Sequence, residues 1–289
     1  MVELPLLKEA NLPSTPPEGA VRLAAIQMEP RLGKTEHNLA ATVEAMDRAA
    51  KLGASLVVFP ECSLTGYCFS NAAEAREYAV ATEGPVPERL AEACAVNGQT
   101  VVVGYIERTG TGLANAAAVV SGGGVLEVYR KTHLPHLGVD RWVEAGCGPL
   151  RPIAVGDLKL GVLICYDGSF PEASRTLALR GADLIVLPTN WPAEAVVKAD
   201  WLPNTRAYEN VVYYAAVNRI GTERSFEFHG KSRICAPTGD TLVQGPTDAP
   251  ALMVADVILE TARTKKILRR GEDYWVDRIG QRREDLYGV

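Results

Sequence analysis

The sequence has no excess of positive charge and no long apolar segment, and each absence excludes a class of protein. Its 289 residues carry a formal net charge of −5, which argues against nucleic acids and anionic membrane surfaces as partners. No apolar run approaches the roughly 18 residues of a membrane-spanning helix, and residues 1–20 lack the basic start and apolar centre of a signal peptide. We therefore expect a cytoplasmic protein that acts on a small molecule.

Cysteine and histidine are too scattered to indicate a disulfide framework or a metal site. The six cysteines are spread along the chain and none forms a C-x-x-C pair. His133 and His136 have no third ligand at a useful spacing. The three glycines at 122–124 lack the spacing of a phosphate-binding loop. The sequence thus predicts reduced cysteines, no metal and no cofactor.

The overall composition is that of an ordinary globular protein, with 47% hydrophobic and 22% charged residues. We interpret residues 1–289 as a single domain with two distinct ends. Residues 1–20 are rich in proline and should form an extended leader. Residues 270–289 form a polar tail whose aromatic residues, Tyr274, Trp275 and Tyr287, suggest docking on another surface such as a subunit interface.

Residues 158–188 predict one strand–helix–strand unit around a cysteine. The apolar run 160–165 is typical of a buried strand and ends at Cys165. Ser169 and Glu172 have the spacing of a capping box, so a helix should begin near Phe170 and end at Gly181. Residues 183–187 read as the next, parallel strand. This arrangement puts the thiol at a sheet edge near a helix amino end, which favours the thiolate.

Two further charged residues follow apolar strands directly. Glu61 comes after the strand at 55–59, and Lys131 after the strand at 125–129. Taken singly, each would more often be a solvated loop residue, and an isolated cysteine is more often an inert core residue. If the strands share one sheet edge, however, Glu61, Lys131 and Cys165 converge. A carboxylate could then take the proton of the thiol, and the ammonium could stabilise an oxyanion.

The sequence segments around Glu61, Lys131 and Cys165 indicate that these three residues belong together. The segments VVFPECSLTGY, YRKTHLP and LICYDGSFPE resemble the three signature segments of the nitrilase superfamily of carbon–nitrogen hydrolases, in order and in spacing. The resemblance covers roughly residues 21–257. It implies an α/β fold, a four-layer α-β-β-α sandwich with two mixed sheets, and protomers that pair through helices into a homodimer or a larger homo-oligomer.

The resemblance also implies a role for each residue. Glu61 would be the general base, Cys165 the nucleophile, and Lys131 with the backbone N–H of Tyr166 the oxyanion stabilisers. Hydrolysis would proceed through a thioester and release ammonia or an amine. The family's second acidic residue would be Asp140 or Glu144. The residues expected to line the substrate site are Tyr67, Asn190 and Trp191.

The leading interpretation is an amidase for a small linear substrate, because the pair Tyr166 and Asp167 resembles the amidase and carbamoylase branches. No arginine is obviously placed to bind a substrate carboxylate, which favours a neutral amide over an N-carbamoyl amino acid. An N-carbamoyl amidohydrolase and a nitrilase are the alternatives within the family. Outside it, a non-catalytic interaction protein and a thiol redox sensor stay open, the latter requiring a second cysteine close to Cys165.

Overall fold

The computed structural model describes residues 4–8 and 12–287. In this part of the chain the helices, numbered α1 to α6, span Thr35–Ala50, Ala72–Tyr78, Pro85–Asn97, Pro171–Leu179, Val196–Asn210 and Leu259–Arg263. The strands, numbered β1 to β17, span Leu6–Lys8, Ala20–Gln27, Leu56–Val58, Thr100–Arg108, Leu113–Ser121, Gly124–Arg130, Ile153–Val155, Leu158–Val162, Leu184–Thr189, Tyr213–Asn218, Ile220–Glu223, Phe226–His229, Arg233–Cys235, Thr241–Gln244, Ala251–Ile258, Lys266–Arg270 and Tyr274–Asp277.

Two large mixed sheets contain most of the strands. The seven-stranded sheet has the order β1-β15-β2-β3-β4-β5-β6, and the six-stranded sheet has the order β14-β13-β10-β9-β8-β7. Strands β2, β3 and β4 are parallel in the first sheet, as are β8, β9 and β10 in the second. The strand–helix–strand prediction is confirmed, because β8 and β9 are parallel neighbours connected through α4.

The two sheets stack on a shared apolar layer, and the side chains of β2 show how. Leu23 and Ala25 belong to a buried cluster that also contains the buried residues of β8 and β9. Ala24 and Ile26 belong instead to the cluster beneath α1 and α3. This alternation is the period of two expected for a strand buried on both faces. One face of the seven-stranded sheet therefore meets the second sheet, and the other meets helices.

Helices cover both outer faces of the stacked sheets. Leu39 of α1 and Leu90 of α3 pack on the seven-stranded sheet. Leu177 of α4 and Ala207 of α5 pack on the six-stranded sheet. The predicted α-β-β-α sandwich with two mixed sheets is thereby confirmed.

Both ends of the described chain add strands at the periphery. Strand β1 of the leader pairs in parallel with β15 at the edge of the seven-stranded sheet. In the tail, β16 and β17 form an antiparallel hairpin on which Tyr274 and Trp275 are 54% and 39% exposed. A subunit contact through this tail stays a prediction, as does the single-domain interpretation.

Over residues 4–8 and 12–287, every helix is too short or too polar to cross a bilayer.

The predicted start of α4 near Phe170 is confirmed, because the helix begins at Pro171, but the predicted capping box is wrong. Ser169 belongs to a 3-10 turn, Cys165–Ser169, and the residue before α4 is Phe170, which makes no capping bond through its side chain. Pro171 opens α4, and a proline is well suited to this position because its fixed backbone angle already matches the helix.

Candidate active site

Glu61 and Lys131 lie at the same edge of the seven-stranded sheet. Glu61 comes shortly after β3, and Lys131 directly follows β6. Strand β6 runs in the direction of β3, because β5 is antiparallel to both β4 and β6 while β3 is parallel to β4. The Nζ atom of Lys131 consequently lies 2.7 Å from Oε1 of Glu61. The structure thus brings these two predicted residues into direct contact.

Cys165 reaches the site from the other sheet. It follows β8 of the six-stranded sheet, so the three residues do not share a single sheet edge as the sequence suggested. Both Glu61 and Lys131 nevertheless act electrostatically on the Cys165 thiol. The site is therefore assembled across the two stacked sheets.

Lys131 is the fixed positive charge of this site. Its side chain is completely buried, and Nζ donates hydrogen bonds to Glu61 and, at 2.6 Å, to Oδ2 of Asp140. Burial alone would lower the pKa of Lys131, but the charges of Glu61 and Asp140 outweigh it and raise that pKa well above its ordinary value. The ammonium therefore stays protonated.

Two neutral side chains hold the acidic groups around Lys131. The Nδ2 group of Asn115 donates to Oε1 of Glu61 at 2.7 Å and to Oδ1 of Asp140 at 2.8 Å. The hydroxyl of Tyr67 donates to Oδ2 of Asp140 at 2.7 Å. Tyr67, predicted to line the substrate site, thus contacts the acid beside Lys131. Sequence reasoning missed Asn115, although a polar residue in the otherwise apolar segment of β5 was a signal for it.

The structure separates the two candidates for the second acidic residue. Asp140 lies in the 3-10 turn Gly138–Arg141 and is buried against Lys131. Glu144 is exposed, and its Oε2 atom accepts a hydrogen bond from Thr111 at 3.1 Å. Of these two alternatives, Asp140 belongs to the charged cluster and Glu144 lies outside it.

Glu61 keeps one oxygen without a partner among residues 4–8 and 12–287. Lys131 and Asn115 both donate to Oε1, whereas the buried Oε2 atom accepts no hydrogen bond from this part of the chain. Burial raises the pKa of Glu61 above its ordinary value, with Lys131 opposing the shift and Asp140 adding to it. A carboxylate in this state accepts a proton more readily than one in water.

Cys165 occupies a strained backbone position. Its φ angle of 45° lies in the left-handed region, which residues other than glycine seldom adopt and which is often found at functional sites. Burial and the charge of Glu61 raise the pKa of its thiol to about 12, although the Thr189 hydroxyl and the Asn190 backbone oppose this shift. The expected thiolate at a helix amino end was therefore wrong, since α4 begins only at Pro171.

The residues after Cys165 and after β9 complete the surroundings of the sulfur. Tyr166 lies in the first turn of the 3-10 segment, where backbone N–H groups lack partners within the turn. Asn190 and Trp191 are buried, and the described part of the chain offers no hydrogen-bond partner to either polar atom of the Asn190 side chain or to Nε1 of Trp191. These side chains can form hydrogen bonds with a small molecule.

Glu223 supports the site although it lies far along the chain from Glu61, and the sequence pattern did not identify it. Its Oε2 atom accepts the backbone N–H groups of Tyr67 and Cys68 at 2.8 and 2.6 Å. Its other oxygen pairs with Arg219 at 2.5 Å. The loop after Glu61 is thus held by Glu223, the last residue of β11, which is itself paired with the buried Arg219.

Within residues 4–8 and 12–287, no three side chains of the usual ligand types are arranged to hold a metal ion. All six cysteines lie in this part of the chain and are free thiols. The His133 imidazole, considered above as a weak metal signal, bonds through Nδ1 to Asp167 at 2.7 Å. Glu61, Lys131 and Cys165 supply the site with a carboxylate, an ammonium and a thiol.

Comparison with known families and proteins gives a consistent result. The carbon-nitrogen hydrolase family matches residues 22–267. A protein named nitrilase from Pyrococcus abyssi is 36% identical over 248 residues, which cover 86% of this chain and 93% of that protein. A formamidase from Bacillus cereus is 30% identical over 215 residues, which cover 73% of this chain and 64% of that protein.

Solved structures are similar as well. An amidase from Nesterenkonia sp. AN1, in a mutant form whose active-site cysteine carries the acetamide moiety of fluoroacetamide, superposes with a TM-score of 0.77 at 26% identity, covering 94% of this chain and 97% of that one. Another mutant form of that amidase, in complex with butyramide, gives a TM-score of 0.74 at 26% identity and covers 86% of this chain and 95% of that one.

Proposed function

Because this chain belongs to the carbon–nitrogen hydrolase family, we propose that it hydrolyses a small linear amide with Cys165 as the nucleophile. The observation that best supports this proposal is the buried contact of Lys131 with Glu61 and Asp140, beside a cysteine whose thiol both Glu61 and Lys131 influence. A general base, a fixed cation and a nucleophile are the groups that acyl transfer requires.

The first half of the reaction forms a thioester. Oε2 of Glu61 takes the thiol proton as the sulfur of Cys165 attacks the carbonyl carbon of the amide. The negative charge that develops on the substrate oxygen is stabilised by Nζ of Lys131 and the backbone N–H of Tyr166. The carbon–nitrogen bond then breaks, and Glu61 returns its proton to the leaving nitrogen, so that ammonia or an amine departs.

The second half of the reaction restores the enzyme. Glu61, again a carboxylate, takes a proton from a water molecule that attacks the thioester carbon. The same two donors stabilise the second tetrahedral anion. When the carbon–sulfur bond breaks, the carboxylic acid is released and the proton on Glu61 returns to the Cys165 sulfur.

A small, neutral amide is the proposed substrate class. The unpaired polar atoms of Asn190 and Trp191 provide donors and an acceptor but no charge near the sulfur. In keeping with this, the similar Nesterenkonia amidase has been solved with butyramide, and a curated relative is named formamidase. An aliphatic amide is therefore the first compound class to test.

The experiment is a measurement of ammonia release from short aliphatic amides, N-carbamoyl amino acids and aliphatic nitriles. We expect the amides to give the highest kcat/KM and Cys165→Ala to abolish the release. Cys147→Ala is the matched control, because Cys147 is exposed and outside the charged cluster, and it should behave as the wild type. Full activity in Cys165→Ala would refute the proposed mechanism.

Nitrile hydrolysis is the second candidate, favoured by the 36% identity to a protein named nitrilase. The same substrate panel separates the two activities. Turnover of nitriles with no turnover of the matching amides would replace the amidase assignment. Release of carbon dioxide together with ammonia would instead indicate an N-carbamoyl substrate.

We also propose that two copies of the chain associate through the exposed face of α5. Val197 and Trp201 on this helix are 68% and 70% exposed, which is unusual for large apolar side chains. Analytical ultracentrifugation should show a dimer for the wild type and a monomer for Trp201→Glu. A monomeric wild type at micromolar concentration would contradict this assembly.

A further inference from the structure

The carboxylate of Asp167 makes an unusual number of hydrogen bonds for a fully buried group. Its Oδ1 atom accepts from the Thr132 hydroxyl at 2.9 Å, from the backbone N–H of His133 at 2.9 Å and from His133 Nδ1 at 2.7 Å. Its Oδ2 atom accepts from the Tyr129 hydroxyl at 2.8 Å and from the backbone N–H of Ile164 at 3.0 Å. These bonds satisfy the charge of Asp167 without a lysine or arginine.

The donors come from both sheets. Tyr129, Thr132 and His133 lie on either side of Lys131, at the end of β6 in the seven-stranded sheet. Ile164 and Asp167 itself lie on either side of Cys165, after β8 in the six-stranded sheet. One carboxylate therefore ties the segment that carries the cation to the segment that carries the nucleophile.

We propose that Asp167 is a positioning residue that sets the separation of the Cys165 sulfur from Lys131 Nζ and so aligns the oxyanion donors with the attacking atom. The inference rests on the proposed function, because it assigns a task within that reaction. Lys131 and Cys165 belong to different sheets, so no strand hydrogen bonds fix their separation. The hydrogen bonds of Asp167 connect the two segments at points that lie within two residues of Lys131 and of Cys165.

The conformation of Cys165 gives a second reason for this assignment. Its positive φ angle requires neighbouring contacts that hold the backbone in place. The bond from Ile164 N–H to Asp167 closes the turn around Cys165, so the same carboxylate supports the nucleophile's conformation and its distance from Lys131.

The variant Asp167→Asn removes the charge and at least one acceptor while keeping the shape of the side chain. We expect kcat for amide hydrolysis to fall by about 10- to 100-fold, the range expected for misplacement of reacting groups by up to about 1 Å, while KM stays within about twofold of the wild type. Tyr129→Phe removes a single hydrogen bond and should lower kcat in the same direction by a smaller factor. This milder variant tests the inference if Asp167→Asn folds poorly.

Chemical labelling distinguishes positioning from a general loss of structure. Methyl methanethiosulfonate modifies a thiol by direct displacement at sulfur and forms no oxyanion, so it does not need the alignment with Lys131. Its rate of reaction with Cys165, followed by mass spectrometry of the Cys165 peptide, should be within about threefold of the wild type in Tyr129→Phe and Asp167→Asn. A rate that falls in parallel with kcat would overturn the inference.

The matched control is Asp183→Asn. Asp183 is also a buried aspartate of the six-stranded sheet, bonded to the Lys159 backbone and to Arg263, but it precedes β9, at the end opposite the site. It should lose stability with kcat unchanged. If the wild type hydrolyses amides and Asp167→Asn has an undiminished kcat, this inference alone is overturned. A wild type that is inactive on every amide would overturn the proposed function as well.

Discussion

The two sides of the site differ in how completely their polar atoms are bonded within the protein. On the side of the seven-stranded sheet, Lys131 and Asn115 each donate hydrogen bonds to both Glu61 and Asp140. On the side of the six-stranded sheet, Asn190 and Trp191 keep buried polar atoms that have no partner among the described residues. The first side is preorganised and its geometry depends on every member. The second can change its bonding when a small molecule enters.

This contrast predicts that substitutions on the two sides will affect different quantities. A change in the bonded cluster leaves buried charges without partners, so it should lower both stability and kcat. A substitution of one of the unpaired side chains takes no hydrogen-bond partner away from another described residue, so it should mainly alter KM. Substitutions on each side can therefore test this division.

The largest effect is expected from Lys131→Met. Removing the ammonium leaves Glu61 and Asp140 close together and buried without their cation, which should lower the free energy of unfolding by about 3–5 kcal/mol. Loss of an oxyanion donor should also lower kcat by about 10²–10³-fold. Urea denaturation and steady-state kinetics measure the two quantities. A fall in kcat with unchanged stability would show that the cluster is not bonded as described.

Asp140→Asn should have the next largest effect, and Glu144→Gln is its control. The substituted amide would lack the negative charge that holds Lys131, so kcat should fall by about 10- to 100-fold, the cost of weakening a charge-assisted hydrogen bond in the site. Glu144 contacts Thr111 on the surface, and its substitution should change kcat by less than about twofold. Equal effects of the two substitutions would contradict the separation of these acids.

The pH dependence of kcat/KM tests the state of Glu61. Since burial raises the pKa of Glu61 above 4.5, the base becomes protonated at a higher pH than an ordinary glutamate, and kcat/KM should fall about tenfold per pH unit below that pKa. Because the folded-state pKa is raised, ionisation of Glu61 lowers folding stability as the pH rises from 4.5 through that value. An acid limb at or below pH 4.5 would contradict the assigned environment.

The smallest effect is expected from Asn190→Ala. Neither polar atom of the Asn190 side chain bonds to any residue that the structure describes, so its removal should leave the free energy of unfolding within about 0.5 kcal/mol of the wild type. Loss of one hydrogen bond to the substrate should raise KM by about three- to tenfold. A large loss of stability without a change in KM would show that Asn190 belongs to the bonded side.

The sequence contained enough information to locate the proposed reacting groups but not the residues that support them. Glu61, Lys131 and Cys165 each follow an apolar strand, and such positions can be recognised locally. Asn115, Glu223 and Asp167 act through partners far away in the chain; Tyr67 N–H, for example, bonds to Glu223 156 positions later. Contacts of that kind depend on how the sheets stack, which periodicity does not specify.

The local errors have a related cause. The predicted thiolate at Cys165 assumed that α4 begins next to it, but the 3-10 turn Cys165–Ser169 lies between them. The sequence also suggested that the three residues share a single sheet edge, because a strand pattern does not specify which sheet the strand joins. The two sheets and the interposed turn together explain why Glu61, and not a helix end, is the group expected to activate the thiol.

The most direct test of the proposed mechanism is to trap the intermediate by mixing the enzyme with a short aliphatic amide, quenching in acid and mapping the modified peptide by mass spectrometry. We predict an acyl group attached to Cys165 and to no other cysteine, accumulating before steady-state ammonia release. Amide hydrolysis at the wild-type rate with Cys165 unmodified, or with the acyl group on a different residue, would contradict this mechanism.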